Sequence, residues 1–129
     1  MAQPQVQIDV DPVSGQWMVD GFPMILVPQH FFMNNHFAVE DALGAEALAA
    51  ILAPAGRESA YVWCKGQAER YGLSGTDVFA HYMKRLSQRG WAQFQIVALD
   101  PAAGTATVRV DHSSFVTGAR KTGGRRVCY

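Results

Sequence analysis

The sequence predicts an α+β fold, an antiparallel sheet with helices packed on one face. Three observations carry that expectation. First, Asp20-Gly21 stands between the apolar runs Trp17-Met18-Val19 and Met24-Ile25-Leu26-Val27. Asp-Gly between such runs is the strongest short signal for a hairpin, because both central positions of the turn need positive φ. Second, the stretch His81 to Phe94 changes its period at Gly90. Tyr82, Met83 and Leu86 recur at helical spacing, whereas Trp91, Phe94 and Ile96 lead into a strand. Third, Thr105, Thr107 and Arg109 alternate with Ala106, Val108 and Val110 after the turn Asp100-Pro101-Ala102-Ala103-Gly104. A hairpin, helices and a second hairpin make an α+β domain.

Taken in order, residues 1–14 alternate weakly through Val6, Ile8 and Val10, as a loose arm or an edge strand. Pro23 places the second hairpin strand at an edge, since it has no N–H to give. Pro28 suits the first turn of a helix. That helix carries Phe32, His36 and Val39 on one face, with a break expected at the helix-poor pair Asn34-Asn35. Leu43-Gly44 closes it, and alanine-rich 45–52 opens the next. Pro54 and Gly56 are expected to interrupt this second helix, which resumes from Arg57 to Arg70 and stops at Tyr71-Gly72. Ser74-Gly75-Thr76-Asp77 resembles a capping box for the helix that ends at Gly90. Beyond the second hairpin, 113–118 reads as irregular and 119–126 as a basic, Gly-rich loop.

Length and composition set the bounds. The 129 residues suit a single domain, 1–129, with 11 basic and 11 acidic residues. That balance argues against nucleic acid as a partner and leaves self-association, as a homodimer, unopposed by charge. No run is long enough for a membrane span, no signal peptide opens the chain, and two cysteines make no disulfide framework; the expected compartment is cytoplasmic. The ending Val127-Cys128-Tyr129 has no polar tail, and reads as a piece of a longer protein.

Signals for chemistry are sparse. His30, His36, His81 and His112 show none of the spacings of a metal site. Cys64 beside Lys65 is either an activated thiolate or, more commonly, a small buried hydrophobe. The run Gly118 to Arg126 lacks the spacing of a phosphate-binding loop. Aromatic and Met side chains gather on the helices and at the Gly90 corner. Most are core, but pockets for small apolar ligands are lined in the same way, and His36, His81 and Arg57 are the nearest polar groups.

Leu43-Gly44-Ala45-Glu46-Ala47, Gly56-Arg57-Glu58-Ser59-Ala60, Leu86-Ser87-Gln88-Arg89-Gly90-Trp91, Asp100…Gly104 and Val108…Ser113, in that order, resemble the 4-vinyl reductase domain. Similar domains sense ligands at the N-termini of aromatic-responsive bacterial activators, and the fold is similar to vesicle-tethering subunits that hold an acyl chain. Ser59 to Cys64 and His81 to Trp91 look closer to a small bacterial family of unknown function, associated loosely with breakdown of methylated amines such as dimethylglycine and betaine. Relatives continue past Cys128 with metal-binding cysteines that this sequence does not show, so no metal site is carried over.

The resemblance implies a binding module without chemistry of its own, with no catalytic residue and no cofactor. Its ligand is a small apolar or aromatic molecule or an amine, in a pocket between helices and sheet lined by Phe32, His36, Trp63, Tyr82 and Trp91. Trp91→Ala is expected to unfold such a domain. The alternatives are a subunit of an oxidoreductase in methylated-amine or one-carbon breakdown, with His36 or His81 as acid/base, and a protein-binding scaffold.

Overall fold

The computed structural model describes residues 3–121, 123 and 125. In order these form β1 (Asp9–Val10), β2 (Trp17–Val19), β3 (Phe22–Met24), α1 (Gln29–Leu43), α2 (Ala45–Tyr71), α3 (Thr76–Gln88), β4 (Gln93–Asp100), β5 (Thr105–Asp111) and α4 (Ser114–Lys121). The fold is α+β. Its strands divide between two antiparallel sheets, β1-β2-β3 and β4-β5, where a single sheet was the expectation.

The first hairpin forms as the Asp-Gly signal predicts. Asp20 and Gly21 adopt φ of 53° and 82°, and Val19 pairs with Phe22 across the turn. β3 has one partner, β2, so Pro23 sits on an edge strand. β1 closes the other edge, and its turn is held by Asp11 Oδ1, which accepts the N–H groups of Val13 and Ser14 at 2.8 and 2.7 Å.

Two expected helix breaks do not occur. α1 runs through Asn34-Asn35, and the Asn35 amide turns back to donate to the Phe31 carbonyl at 2.7 Å. α2 runs for 27 residues through Pro54 and Gly56. Pro54 removes the N–H that the Ala50 carbonyl would accept, but both residues are exposed, so that carbonyl is open to solvent. Alanines on either side keep the helix going. The capping box is also absent: Gly75 stands at the N-cap with φ 55°, and Ser74 contributes its carbonyl, which accepts from Asp77 N–H at 3.2 Å.

The Gly90 corner is built as its period change implies. Gly90 has φ 83°. Trp91 N–H bonds the Leu86 carbonyl and Gly90 N–H the Ser87 carbonyl, both at 3.2 Å. That paired pattern ends a helix with a left-handed residue. Ser87 Oγ then fastens the outgoing strand, accepting from Phe94 N–H at 2.9 Å while donating to the Met83 carbonyl at 3.0 Å.

The segment after β5 corrects the sequence reading. Ser114–Lys121 is a helix, not an irregular stretch running into a basic loop. Its start is tied to the corner: Ser114 Oγ donates to the Gly90 carbonyl at 2.6 Å and its N–H to the Trp91 carbonyl at 2.9 Å. Gly118 and Ala119 are buried against α1, and the fit is close, since a Cβ on Gly118 would stand 3.2 Å from the Gln29 side chain. Met33 and Ala119 form a small core there with Phe37 and Phe115. Arg125 is also pinned, its guanidinium 3.0 Å from Glu40, 2.8 Å from Asp41 and 4.5 Å above the Phe37 ring. Cys128 and the remainder of the predicted basic loop and apolar ending lie outside the described residues.

Packing follows the chain, with α4 on α1, α1 on α2, α2 on α3 and α3 on β4. The surface this leaves is large. It amounts to 9250 Å², where a compact monomer of this size exposes about 6,700 Å². Residues 50–59 of α2 are all exposed but inside a helix, Ile51 and Leu52 among them. Among the described residues, no helix is long and apolar enough to cross a membrane.

Candidate functional site

Trp63 is the centre of the best-formed side-chain cluster. It is buried on α2, and α3 brings His81 and Tyr82 against it because they occupy consecutive positions one turn before Arg85. The His81 ring stacks on Trp63 at 5.7 Å and 18°, Tyr82 lies at 5.3 Å, and Phe22 of β3 reaches it at 6.5 Å. Arg89, two turns after His81, places its guanidinium 4.8 Å from the Trp63 ring centre. A cation over an indole face is attracted by the ring quadrupole, and burial strengthens the effect.

A polar clasp adjoins this cluster. Gln67, one turn beyond Trp63, has 0% exposure. Its amide nitrogen donates to the Asp20 carbonyl at 3.2 Å, so its oxygen faces His81 Nε2 at 2.9 Å. A carbonyl can only accept, which orients the amide; the amide oxygen then requires the proton of His81 on Nε2. Asp20 Oδ1 accepts from Arg85 at 2.8 Å and from the Tyr71 hydroxyl at 3.0 Å. Arg85 also donates to Gln88 at 2.9 Å. Asp20 Oδ2 and Arg85 Nε are buried and make no hydrogen bond among the described residues.

The electrostatics follow from this packing. Burial lowers the His81 pKa below the usual histidine value; Arg85 and Lys84 add to this and Asp20 opposes them. Burial raises the Tyr82 phenol, reinforced by Cys64. Burial likewise raises the Cys64 thiol, which favours its neutral form and works against the activated thiolate considered from its Lys65 neighbour.

The five residues singled out from the sequence fall into three places. Trp63 and Tyr82 meet in the cluster just described. Phe32 and Trp91 lie on either side of Phe115, at 6.4 and 5.6 Å, and both remain nearly half exposed. His36 lies apart on α1, its side chain mostly covered, 3.3 Å from Glu40 and edge-on to Phe37. A separate open groove of about 430 Å³ runs between α3 and β4, floored by Met83, Phe94 and Ile96 and rimmed by Gln88, Gln93 and Gln95. None of the five lines it.

A family model described as a domain of unknown function (DUF5943) matches residues 2–97. The chain belongs to that family. No curated protein and no solved structure matches it. The DUF5943 match takes in the hairpin tip, Trp63, the clasp and the Gly90 corner, and it stops before β5 and α4.

Sequence reasoning missed Asp20, Gln67 and Arg85. Asp20 read only as a turn former. Gln67 did leave a signal, since a polar residue four places after Trp63 shares its buried helix face. Among the described residues, no three His, Cys, Asp or Glu side chains converge as a metal site would require.

Proposed function

We propose that this chain is a non-catalytic small-molecule-binding or accessory domain of the 4-vinyl reductase-like type. The observation that carries the reading is the Trp63 cluster: three rings on a buried indole, one guanidinium above it, and a few oriented polar groups at its border. Flat apolar walls with a small number of fixed polar atoms are what small aromatic and amine ligands require. His81 serves better here as a wall than as an acid/base, because its Nε2 is committed to Gln67 and its ring lies against both Trp63 and Tyr71.

The working form in this reading is a cytoplasmic homodimer. Residues 50–59 of α2, with Ile51 and Leu52, stay exposed although Leu48, Trp63 and Gln67 of the same helix are buried, and an apolar stretch left uncovered calls for a partner. A second copy, packed helix to helix across small side chains, supplies one. A different protein on the same face would make the chain a scaffold or a subunit of an oxidoreductase in methylated-amine breakdown.

Native mass spectrometry of the protein from its own host, beside a denatured spectrum, tests this. A dimer releasing extra mass on denaturation supports the binding module, and the released compound names the ligand class. A bare monomer refutes both the resident ligand and the dimer. A mass matching a second, unlike chain moves the subunit reading ahead.

A further inference from the structure

The β1-β2-β3 sheet is held to the rest of the molecule in an unusual way. No Cα of its strands comes within 8 Å of a Cα in any helix. Side chains at the hairpin tip span the gap. Phe22 lays its ring over Gly66, a glycine inside α2 where any residue but proline would make a better helix. A Cβ there would stand 2.5 Å from Phe22 Cζ and 3.0 Å from Cε2, so the missing side chain is the slot that the ring fills. Beside it, Asp20 presents its carboxylate to Arg85 and Tyr71.

We infer that this tip is an internal plug that imitates the ligand. Phe22 takes the place of the ligand's aromatic ring, and the Asp20 carboxylate takes the place of an acid group on Arg85. The inference rests on the reading of the Trp63 cluster as a ligand-binding site proposed above, and it narrows the ligand class to aromatic carboxylic acids. The plug's polar contacts are ones that water or a ligand carboxylate can replace. Asp20 Oδ2 and Arg85 Nε lack partners among the described residues while docked, which lowers the cost of release. Beyond the tip, Val19 is buried and Gln67 holds the Asp20 carbonyl, whereas Ile8, Val10 and Trp17 are exposed in the docked state.

The test uses phenylacetate as probe, phenylethylamine as its control of opposite charge, and the full chain as wild type and Phe22→Ala. Removing an internal competitor raises apparent affinity by the inverse of the fraction of open protein. Phenylacetate should therefore bind Phe22→Ala at least about tenfold more tightly than wild type by titration calorimetry, and phenylethylamine should bind neither well. Added to wild type, phenylacetate should speed amide hydrogen exchange across residues 17–24. A folded Phe22→Ala protein with no gain in affinity overturns the plug. If that variant does not fold, exchange in wild type decides, and unchanged exchange at saturating phenylacetate overturns it. Binding that depends on Trp63 but leaves the hairpin unmoved removes the plug and leaves the pocket standing. Tighter binding of phenylethylamine than of phenylacetate removes the acid assignment. Absence of any binding removes the plug, while a resident ligand released in native mass spectrometry would still uphold the pocket.

Discussion

Replacing Asp20 separates the energetics of the clasp from those of the turn. Asp20 has two roles: it occupies φ 53°, and it accepts hydrogen bonds from Arg85 and Tyr71 with its side chain only 7% exposed. Asp20→Gly keeps the turn and deletes the acceptor. A hydrogen bond to a charged group contributes about 1.5–3 kcal/mol, and two share this oxygen unequally, so a loss of about 2–4 kcal/mol is expected. Asp20→Ala adds the left-handed penalty of a Cβ, a further ~1 kcal/mol. Asp20→Asn keeps both the φ tolerance and an acceptor, and should lose only about 1 kcal/mol. Urea unfolding followed by tryptophan fluorescence measures all three. The Arg85→Ala background completes a double-mutant cycle, in which the pair should couple by about 1–3 kcal/mol. If Asp20→Gly unfolds within about 0.5 kcal/mol of wild type and shows no coupling to Arg85, the clasp contributes nothing and the argument fails.

Other expectations follow from the same contacts. His81 has a depressed pKa in the fold, so the unfolded chain binds its proton first; the stability it contributes is present above the unfolded value and is lost as pH falls through the folded one. Thermal melts should therefore fall more steeply from pH 7 to pH 5 for wild type than for His81→Asn, and parallel curves would contradict this. Trp91→Ala should leave the protein folded, against the expectation from sequence, because the side chain is 46% exposed and rests mainly on Phe115; a loss of about 1–2 kcal/mol in urea is expected. Ser87→Ala should cost about 1–3 kcal/mol by leaving Phe94 N–H unsatisfied, and a melt unchanged within error would show that water replaces the hydroxyl.

What the sequence disclosed was local. Asp20-Gly21 needs positive φ at both positions, and Gly90 ends a helix wherever the apolar period changes, so neither depends on distant parts of the chain. The alternation in β5 is likewise self-contained. Pro54 does not break α2 because a long alanine-rich frame carries the helix past it, and Asn34-Asn35 do not break α1 because both are exposed and the Asn35 amide bonds back to the Phe31 carbonyl. α4 was hidden for the opposite reason: Gly118 is a poor helix signal alone, and it and Ala119 are small residues packed where α1 lies against them. At the site, helical spacing made Trp63 and Tyr82 legible as neighbours. The clasp was not, since Gln67 and Arg85 lie 47 and 65 residues from the turn they hold.

The proline within α2 has a consequence for how the molecule opens. Ahead of Pro54, the helix is anchored inward by Leu48; behind it, Trp63 and Gln67 tie the helix to α3 and the hairpin. The hydrogen-bond ladder lacks a rung at the junction. Two units of unequal strength are expected, and native-state hydrogen exchange should find the half packed on α1 opening before the half packed on α3. A partner gripping the α1 half would therefore act on timing, by slowing the first unit to open, before it acted on shape.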